Sequence, residues 1–162
     1  MRSIVLILQN IRSLHNVGSL FRSADVFGVR KIYLCGYTGV PPRREIEKVA
    51  LGAETWVPWE HRARAADVVR ALRRQGYQVI ALETGKGSRP IQRAVFGEKT
   101  ALIVGNEVTG VTPPVLRLAD CILRIPLFGK KESLNVSVAA GVGLFAVRFR
   151  RPTSPRRRLD PS

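Results

Sequence analysis

The chain has few of the side chains on which metal and redox sites depend. Its 162 residues include two histidines and two cysteines, and no short motif brings a histidine and a cysteine together. Structural zinc sites need four such ligands at characteristic spacings, so we expect no metal. Cys35 and Cys121 lie in apolar, strand-like segments. They are predicted to be free, buried thiols, as in a reducing cytoplasm, and not a disulfide or metal pair.

Signatures of nucleotide-binding and hydrolytic enzymes are also missing. There is no G-x-x-x-x-G-K-[ST] segment, and the G-x-G pairs at 85–87 and 141–143 lack the third glycine of the dinucleotide fingerprint. No histidine stands out with a partner acid, and no pair of carboxylates is placed for acid–base work. Phosphate-loop nucleotidases, dinucleotide enzymes, hydrolases and metalloenzymes are therefore unsupported.

Hydrophobic runs long enough for a membrane are absent as well. The first run, from Ile4 to Leu8, is shorter than the core of a signal peptide. The apolar part of the last predicted helix falls short of the roughly 20 residues that span a bilayer. We expect a cytoplasmic protein that does not enter a membrane.

Acidic residues are scarce relative to basic ones. The chain has 12 acidic and 27 basic residues, which gives a net charge of +15. Most of the basic residues are arginines, whose guanidinium forks pair with phosphate and stack on bases. This balance favours a nucleic acid as partner. An anionic membrane surface is the alternative, but no amphipathic basic helix clearly supports it.

What the chain does contain is an alternation of apolar strand-like segments and helical ones. This pattern predicts an α/β fold with a mainly parallel sheet flanked by helices, in one domain over 1–150. A Pro- and Arg-rich tail over 151–162 is predicted to be disordered. The predicted strands are 3–8, 31–35, 55–59, 77–82, 99–104 and 121–125, and the predicted helices are 16–27, 44–50, 62–75, a short one after Thr112, and 134–149.

The last predicted helix is apolar almost all the way round. A helix without a polar face must be buried in a core or against a partner. Its internal glycines, Gly141 and Gly143, each cost roughly 1 kcal/mol relative to alanine, so close packing is the expected reason for them. Ser133 and Asn135 stand at its amino end, where free backbone N–H groups are available. A rigid helix with a polar mouth indicates a small-molecule site.

Three loops, each following an apolar strand, carry most of the candidate chemistry. Ligands of parallel sheets bind beyond the carboxyl ends of the strands, so the loops 9–18, 105–111 and 126–135 are expected to converge. The polar side chains in or just after them are Asn16, Arg22, Asn106, Glu107, Ser133 and Asn135.

These loops contain three ordered motifs that resemble those of the SpoU/TrmH-type RNA ribose 2′-O-methyltransferases of the SPOUT superfamily. The motifs are Asn16-x-Gly18-x-x-x-Arg22-x-Ala24 with Phe27-Gly28, then Ile103-Val104-Gly105-Asn106-Glu107 with Gly110, then Ile125-Pro126 with Ser133-Leu134-Asn135-Val136-Ser137-Val138-Ala139. The resemblance implies a sheet whose carboxyl-terminal part forms a deep trefoil knot, S-adenosylmethionine held in the knot loops, and an obligate homodimer. Such a knot is an exception to the usual rule of unthreaded chains.

The sequence departs from the family pattern in two respects. Val108 and Val111 stand where small residues or leucine are commoner, which bears on the cofactor contacts. The family's extra amino-terminal RNA-binding domain is not expected, because Ile4 already lies in the first strand. RNA is then expected to contact the catalytic domain, its dimer partner and the Arg-rich tail.

The resemblance also implies roles for individual residues. Arg22 is expected to hold an RNA phosphate and stabilise the developing 2′-alkoxide, because a guanidinium that stays protonated is a poor general base. The other predicted catalytic residues are Asn16, Ser133 and Asn135. The predicted cofactor-binding residues are Val104, Gly105, Asn106, Glu107, Gly110, Ile125, Leu127, Ser133 and Leu134.

Each of these residues also has a plain structural interpretation. Arg22 is alternatively a surface arginine, and Asn16 and Ser133 are alternatively helix caps. Glu107 is either an exposed loop acid or a carboxylate that attracts the cationic sulfonium of the cofactor. Ile125, Leu127 and Leu134 suit a core, from which their backbone groups can still bracket an adenine.

The sequence thus predicts an S-adenosylmethionine-dependent enzyme that methylates a ribose 2′-hydroxyl of tRNA or rRNA, without a metal. The alternatives are a catalytically silent knotted RNA-binding protein and a base-methylating enzyme of the same superfold.

Overall fold

Seven strands form one sheet within residues 1–150, the part of the chain that the computed structural model describes. Every pair of neighbouring strands is parallel, and their order is β3-β2-β1-β6-β4-β7-β5. The strands are β1 (Ser3–Gln9), β2 (Lys31–Cys35), β3 (Trp59–Arg62), β4 (Gln78–Leu82), β5 (Arg89–Pro90), β6 (Lys99–Val104) and β7 (Cys121–Arg124). The predicted α/β fold with a parallel sheet is confirmed. The predicted tail lies outside the described residues.

Helices cover both faces of this sheet. Residues of β1 alternate between two hydrophobic cores, with Ile4, Leu6 and Leu8 in one and Val5 and Ile7 in the other. This double burial explains why the strand is apolar throughout. The first core also contains residues of the first, second, third and last helices, and the second core contains residues of the fourth and fifth. The helices are α1 (Leu14–Val26), α2 (Arg44–Ala50), α3 (Ala53–Trp56), α4 (Ala65–Arg74), α5 (Pro113–Leu118) and α6 (Val136–Phe149).

Two sequence-based assignments in the first half of the chain are wrong. The predicted strand 55–59 is instead the short helix α3 followed by β3. Gly52, with φ 97°, starts a helical turn that is closed by a hydrogen bond from the Val57 amide to the Ala53 carbonyl. The strand β3 therefore begins only at Trp59, which pairs with Ile32. The predicted helix 62–75 begins later, at Ala65, because 59–62 extends the sheet edge.

Within a single copy of the chain, only one side of α6 is buried in the core, so the expected burial in a core or against a partner is met there by the core on that side alone. Ala140, Leu144 and Val147 face the core. Gly143 is closely packed, as expected, because a Cβ there would lie 3.0 Å from the Leu102 side chain. Gly141 is not, because a Cβ there would lie 3.8 Å from its nearest neighbour, at an ordinary van der Waals distance. A stripe of side chains on the opposite side is between 40% and 62% exposed. This apolar stripe consists of Val138, Val142, Phe145 and Phe149.

Both cysteines are free, as predicted. Cys35 is fully buried in β2, and burial raises the pKa of its thiol to about 12. Cys121 is only partly buried. No helix within residues 1–150 combines the length and the apolar character that crossing a membrane requires.

Candidate functional site

A cleft of about 220 Å³ opens at the carboxyl edge of the sheet, above β4, β6 and β7. This volume is far larger than the space that one water molecule needs, so the cleft can accept a small organic ligand. Its walls combine apolar side chains with a few carboxylate, amide and hydroxyl groups. The lining residues are Leu82, Glu83, Thr84, Val104, Gly105, Asn106, Glu107, Val108, Gly110, Ile125, Leu127, Ser133, Leu134, Val136 and Ala139.

All nine predicted cofactor-binding residues line this cleft. Five of them come from 104–110 and four from 125–134, two segments that are separated by the whole of α5 and β7 in the sequence. The parallel sheet brings these segments together because β6 and β7 both end at this edge, on either side of β4. Their contact with a cofactor stays a prediction.

A chain of hydrogen bonds joins the three predicted loops beside the cleft. The Asn16 side chain donates from Nδ2 to Glu107 Oε1 at 3.2 Å, and its Oδ1 accepts from Asn135 Nδ2 at 3.2 Å. Asn16 therefore links residues 91 and 119 positions away along the chain. The alternative interpretation of Asn16, as the N-cap of α1, is wrong. The N-cap is Ser13, whose side chain accepts from the Asn16 amide at 3.1 Å. Because the cap is supplied elsewhere, the Asn16 side chain is available to the loops.

Glu107 holds the loop between β1 and α1. Its carboxylate accepts from the Arg12 amide at 3.0 Å and from the Ser13 amide at 3.0 Å, in addition to Asn16. Partial burial raises the pKa of Glu107, but the hydrogen bonds from Ser13, Arg12 and Asn16 outweigh it, so the net pKa lies below its usual value. The charged form is therefore the one that the folded loop stabilises.

Glu107→Gln should destabilise the protein at neutral pH, because a neutral amide accepts these hydrogen bonds less strongly than a carboxylate. We expect a loss of about 1 kcal/mol in the free energy of unfolding. Because the pKa of Glu107 is lower in the folded protein than in the unfolded chain, its carboxylate contributes fully to the free energy of unfolding above the unfolded-state pKa. That contribution is lost as the pH falls through the folded-state pKa. Urea unfolding from pH 7 to pH 3.5 should show the gap between the two proteins closing on acidification. A gap that is constant with pH would contradict this role of the carboxylate.

The segment after β6 forms a tight turn whose shape depends on Asn106 and on two glycines. Asn106 is 9% exposed, and its Oδ1 accepts from the amides of Val108 and Thr109 at 2.8 and 2.9 Å. Gly110 has φ 72°, in the left-handed region that favours glycine. A Cβ at Gly105 would lie 2.4 Å from the Gly110 carbonyl carbon. At the floor of the cleft, the backbone at Gly105 therefore packs directly against the backbone at Gly110.

The third loop enters α6 differently from the prediction. The N-cap is Asn135, whose Oδ1 accepts from the Ser137 amide at 2.9 Å, and the helix begins at Val136. Asn135 is exposed and lies before the first turn instead of being buried inside it. Ser133 does not cap the helix, and it lines the cleft two residues earlier. Asn135 thus joins the cleft loop to Asn16, while Ser133 is available to a ligand.

Arg22 lies apart from the cleft. It is exposed on α1, six residues after Asn16, which corresponds to about 9 Å along the helix axis. Its side chain borders a shallow groove with Ser19, Val26 and Val49. Among the predicted catalytic residues, only Ser133 lines the cleft. Asn16 and Asn135 lie beside it, bonded to each other and, through Asn16, to the cleft residue Glu107, whereas Arg22 has no such link. In a single copy of the chain, Arg22 therefore does not face the cleft.

Sequence reasoning missed the contribution of β4. Leu82, Glu83 and Thr84 follow this strand and line the cleft. Glu83 accepts from the Val111 amide at 2.9 Å and so ties the β4 end to the turn after β6. The available signal was a polar segment directly after an apolar strand, the same signal that identified the other three loops.

The lining suits a ligand that has an apolar ring system and a positive charge. Leu82, Val104 and Leu134 provide apolar walls, and two acidic residues, Glu83 and Glu107, also line the cleft of a protein with net charge +15. A sulfonium cofactor with a purine and an ammonium group has this combination of properties. The residues present therefore fit S-adenosylmethionine.

Comparison with known proteins gives consistent matches over almost the whole described chain. The sequence profile of the SpoU rRNA Methylase family matches residues 3–145. A tRNA (guanosine(18)-2′-O)-methyltransferase from Thermus thermophilus is 31% identical over 161 residues, which cover 98% of this chain and 82% of the relative.

Solved structures share the fold as well as the sequence pattern. An AdoMet-bound rRNA methyltransferase from Sinorhizobium meliloti superimposes with a TM-score of 0.85 at 31% identity, covering 90% of this chain. This chain spans 56% of the length of that protein. A structure from work on the 2-OH methylation of C/U34 on tRNA has a TM-score of 0.80 at 26% identity, and the match covers 90% of this chain and 94% of the other.

Proposed function

The chain belongs to the SpoU rRNA Methylase family, and we propose that its cleft serves methyl transfer from S-adenosylmethionine to a ribose 2′-hydroxyl of tRNA or rRNA. The matches confirm the predicted family and, with it, the predicted class of enzyme and cofactor. They give no support to a silent RNA-binding protein or to base methylation. A cytoplasmic location stays a prediction.

The hydrogen-bonded chain Glu107–Asn16–Asn135 is the observation that carries the proposal. It fixes three loops around one cleft, so that a ligand and a ribose can be held in one orientation. S-adenosylmethionine held in the cleft would supply an electrophilic methyl group. The 2′-hydroxyl oxygen would bond to the methyl carbon as the bond from that carbon to sulfur breaks, so that the neutral thioether leaves and the hydroxyl proton is released. The contribution of the protein is orientation and exclusion of water, which can account for about 7–11 kcal/mol of a barrier.

In this arrangement we assign binding of the cofactor to the nine predicted lining residues together with Glu83. Ser133, which lines the cleft, and the Asn16–Asn135 pair are assigned to positioning the ribose. Arg22 is assigned to an RNA phosphate and the developing alkoxide, as the motif resemblance implies. Glu107 is assigned to holding the loop, because its oxygens accept from Arg12, Ser13 and Asn16.

We also propose the trefoil knot and the homodimer that the family resemblance implies. The turn after β6 packs its own backbone at Gly105 and Gly110, and α6 returns from the cleft to pack on β6 and β4, as a threaded chain would. The apolar stripe of α6 supports the homodimer. The ring centroids of two of its members, Phe145 and Phe149, lie 5.0 Å apart, and both rings contact Phe27 edge to face, at 6.3 and 6.5 Å. A contiguous exposed apolar surface of this kind marks an interface.

A homodimer accounts for the position of Arg22. The groove that contains Arg22 also includes Phe27, which packs against the apolar stripe. A second copy seated on the stripe therefore meets the Arg22 side of α1. We infer that each complete active site combines the cleft of one protomer with Arg22 of its partner or with RNA that extends along α1.

Phe145→Glu should dissociate this dimer, because it places a charge in each half of a self-complementary interface. We expect the dissociation constant to rise by about 100-fold or more, measured by light scattering over a dilution series. Val95→Glu is the matched control, since Val95 is similarly exposed, at 56%, but lies outside the stripe. Equal effects of the two substitutions, or a wild-type protein that is monomeric at micromolar concentration, would contradict the proposed interface.

Mapping of 2′-O-methyl groups in total RNA, with and without the gene, tests the proposed function. Loss of one ribose mark on deletion, restored by the wild-type gene and not by a Ser133→Ala, Asn135→Ala double variant, is the expected result. Guanosine 18 and C/U34 of tRNA are the first positions to inspect, because similar proteins are named for them. An unchanged set of ribose marks, or loss of a base methyl group instead, would refute the assignment.

A further inference from the structure

Tyr37 is an exposed aromatic ring that is held in place beside the cleft. Its side chain is 63% exposed. Its hydroxyl oxygen accepts from Asn106 Nδ2 at 2.8 Å, and its amide donates to Asn10 Oδ1 at 3.3 Å. Asn106 itself lines the cleft. Because hydrogen bonds hold both its backbone amide and its hydroxyl group, the Tyr37 ring has a fixed orientation.

The loop that carries Tyr37 is clamped onto the loop after β1. The buried Thr38 hydroxyl accepts from the Ile11 amide at 3.0 Å and donates to the Cys35 carbonyl at 2.8 Å. Gly36 has φ 65°, and a Cβ there would overlap Asn10 Oδ1, only 1.9 Å away. The two loops are thus packed without space between them, and the ring stands on a rigid base.

Exposed arginines lie on the two loops that hold this ring. Arg12, on the neighbouring loop, is exposed while its amide binds Glu107, and the loop of Tyr37 ends at the exposed Arg43 and Arg44. Within residues 1–150, none of these three guanidinium groups forms an ion pair. A rigid aromatic ring among unpaired arginines is the surface that single-stranded nucleic acid binds, through base stacking and phosphate contacts. The apolar stripe of α6 has the opposite character, with clustered aliphatic and phenyl groups.

We propose that Tyr37 is a stacking platform for an unpaired base of the RNA substrate, close to the ribose that is methylated. This inference rests on the proposed function and adds a positioning residue outside the three family motifs. Stacking on one aromatic ring is sequence-tolerant, since every base has a π face. Tyr37 therefore positions the RNA strand at the mouth of the cleft and need not select a particular base.

The test compares three variants with the wild-type protein. Tyr37→Leu removes the aromatic face, and Tyr37→Phe keeps the face but removes the hydrogen bond to Asn106. Trp56→Leu is the control, because Trp56 is also exposed, at 59%, and anchored, by donation to Asp25 at 2.7 Å, but lies near the carboxyl end of α1 and away from the cleft. Transfer of labelled methyl groups to total RNA from a strain that lacks the gene gives kcat and KM, and calorimetry gives the affinity for S-adenosylmethionine.

We expect Tyr37→Leu to raise KM for RNA about tenfold, with cofactor affinity unchanged, and Tyr37→Phe and Trp56→Leu to stay within about twofold of wild type. Equal losses in Tyr37→Phe and Tyr37→Leu, or weakened cofactor binding in both, would show that Tyr37 only braces Asn106 and would overturn the proposal. A wild-type KM in Tyr37→Leu would overturn it too. If the wild-type protein itself transfers no methyl group to ribose, the proposed function fails, and this inference fails with it.

Discussion

Arg22→Ala should lower the rate of methyl transfer at least about 100-fold while leaving the affinity for S-adenosylmethionine within about twofold. The rate falls because a fixed cation that stabilises developing negative charge is worth about 10²–10³ in kcat. The affinity is retained because Arg22 borders the groove along α1 and not the cleft. Single-turnover transfer assays and calorimetry measure the two quantities separately.

Two further substitutions identify what Arg22 contributes. Arg22→Lys keeps the charge but loses the planar fork that binds phosphate through two hydrogen bonds, so an intermediate rate is expected. Arg30→Ala is the control, since Arg30 is also exposed but lies at the amino end of β2, at the opposite edge of the sheet. Cofactor affinity that falls along with the rate in Arg22→Ala would place this residue in the cleft, against the geometry. A rate equal to that of Arg30→Ala would leave Arg22 as a plain surface residue.

Gly105→Ala should strongly weaken cofactor binding and reduce the stability of the protein. The added Cβ would lie 2.4 Å from both the Gly110 carbonyl carbon and the Val111 amide nitrogen. These are backbone atoms, which cannot rotate away as a flexible side chain can, so the turn after β6 must open. Overpacking of this kind costs about 1–3 kcal/mol in the free energy of unfolding. The same movement separates the Gly110 amide from the Asn106 carbonyl, now 2.9 Å apart, and deforms the floor of the cleft.

Gly129→Ala is the matched control for this substitution. Gly129 lies in the loop between β7 and α6, and a Cβ there would meet no atom within 4 Å. We expect its cofactor affinity and urea midpoint to equal those of the wild type, whereas Gly105→Ala loses affinity by about 100-fold or more. If both variants bind S-adenosylmethionine equally well, the turn is more pliable than its packing indicates, or the cofactor binds elsewhere.

The three motifs were enough to locate the cleft, although several local details were misjudged. Capping of α1 was the alternative interpretation of Asn16, and the side chain instead bridges Glu107 and Asn135. Both roles are chemically reasonable for an asparagine near a helix start. Only the presence of Ser13 as the cap, three residues earlier, decides between them. Capping preferences are local, whereas the bridge depends on two loops far away in sequence.

The contribution of β4 was missed for a related reason. Sequence periodicity identifies strands but not their order in a sheet. With β4 between β6 and β7, the residues that follow it enter the cleft. In any other position in the sheet, Glu83 would lie away from Glu107, and the cleft would have one carboxylate instead of two.

The sequence by itself determined the α/β class, the parallel sheet, the family and most of the cleft lining. These properties depend on continuous apolar strands and on motifs whose residues are close in sequence, so local patterns suffice to reveal them. The tertiary structure alone decided what Asn16 and Glu107 bond to, that one stripe of α6 is left exposed, that Arg22 stands apart from the cleft, and that Tyr37 is fixed beside it. The physical reason is that these contacts join residues tens of positions apart, and the order of the strands and the crossing of the chain between them determine which such residues meet.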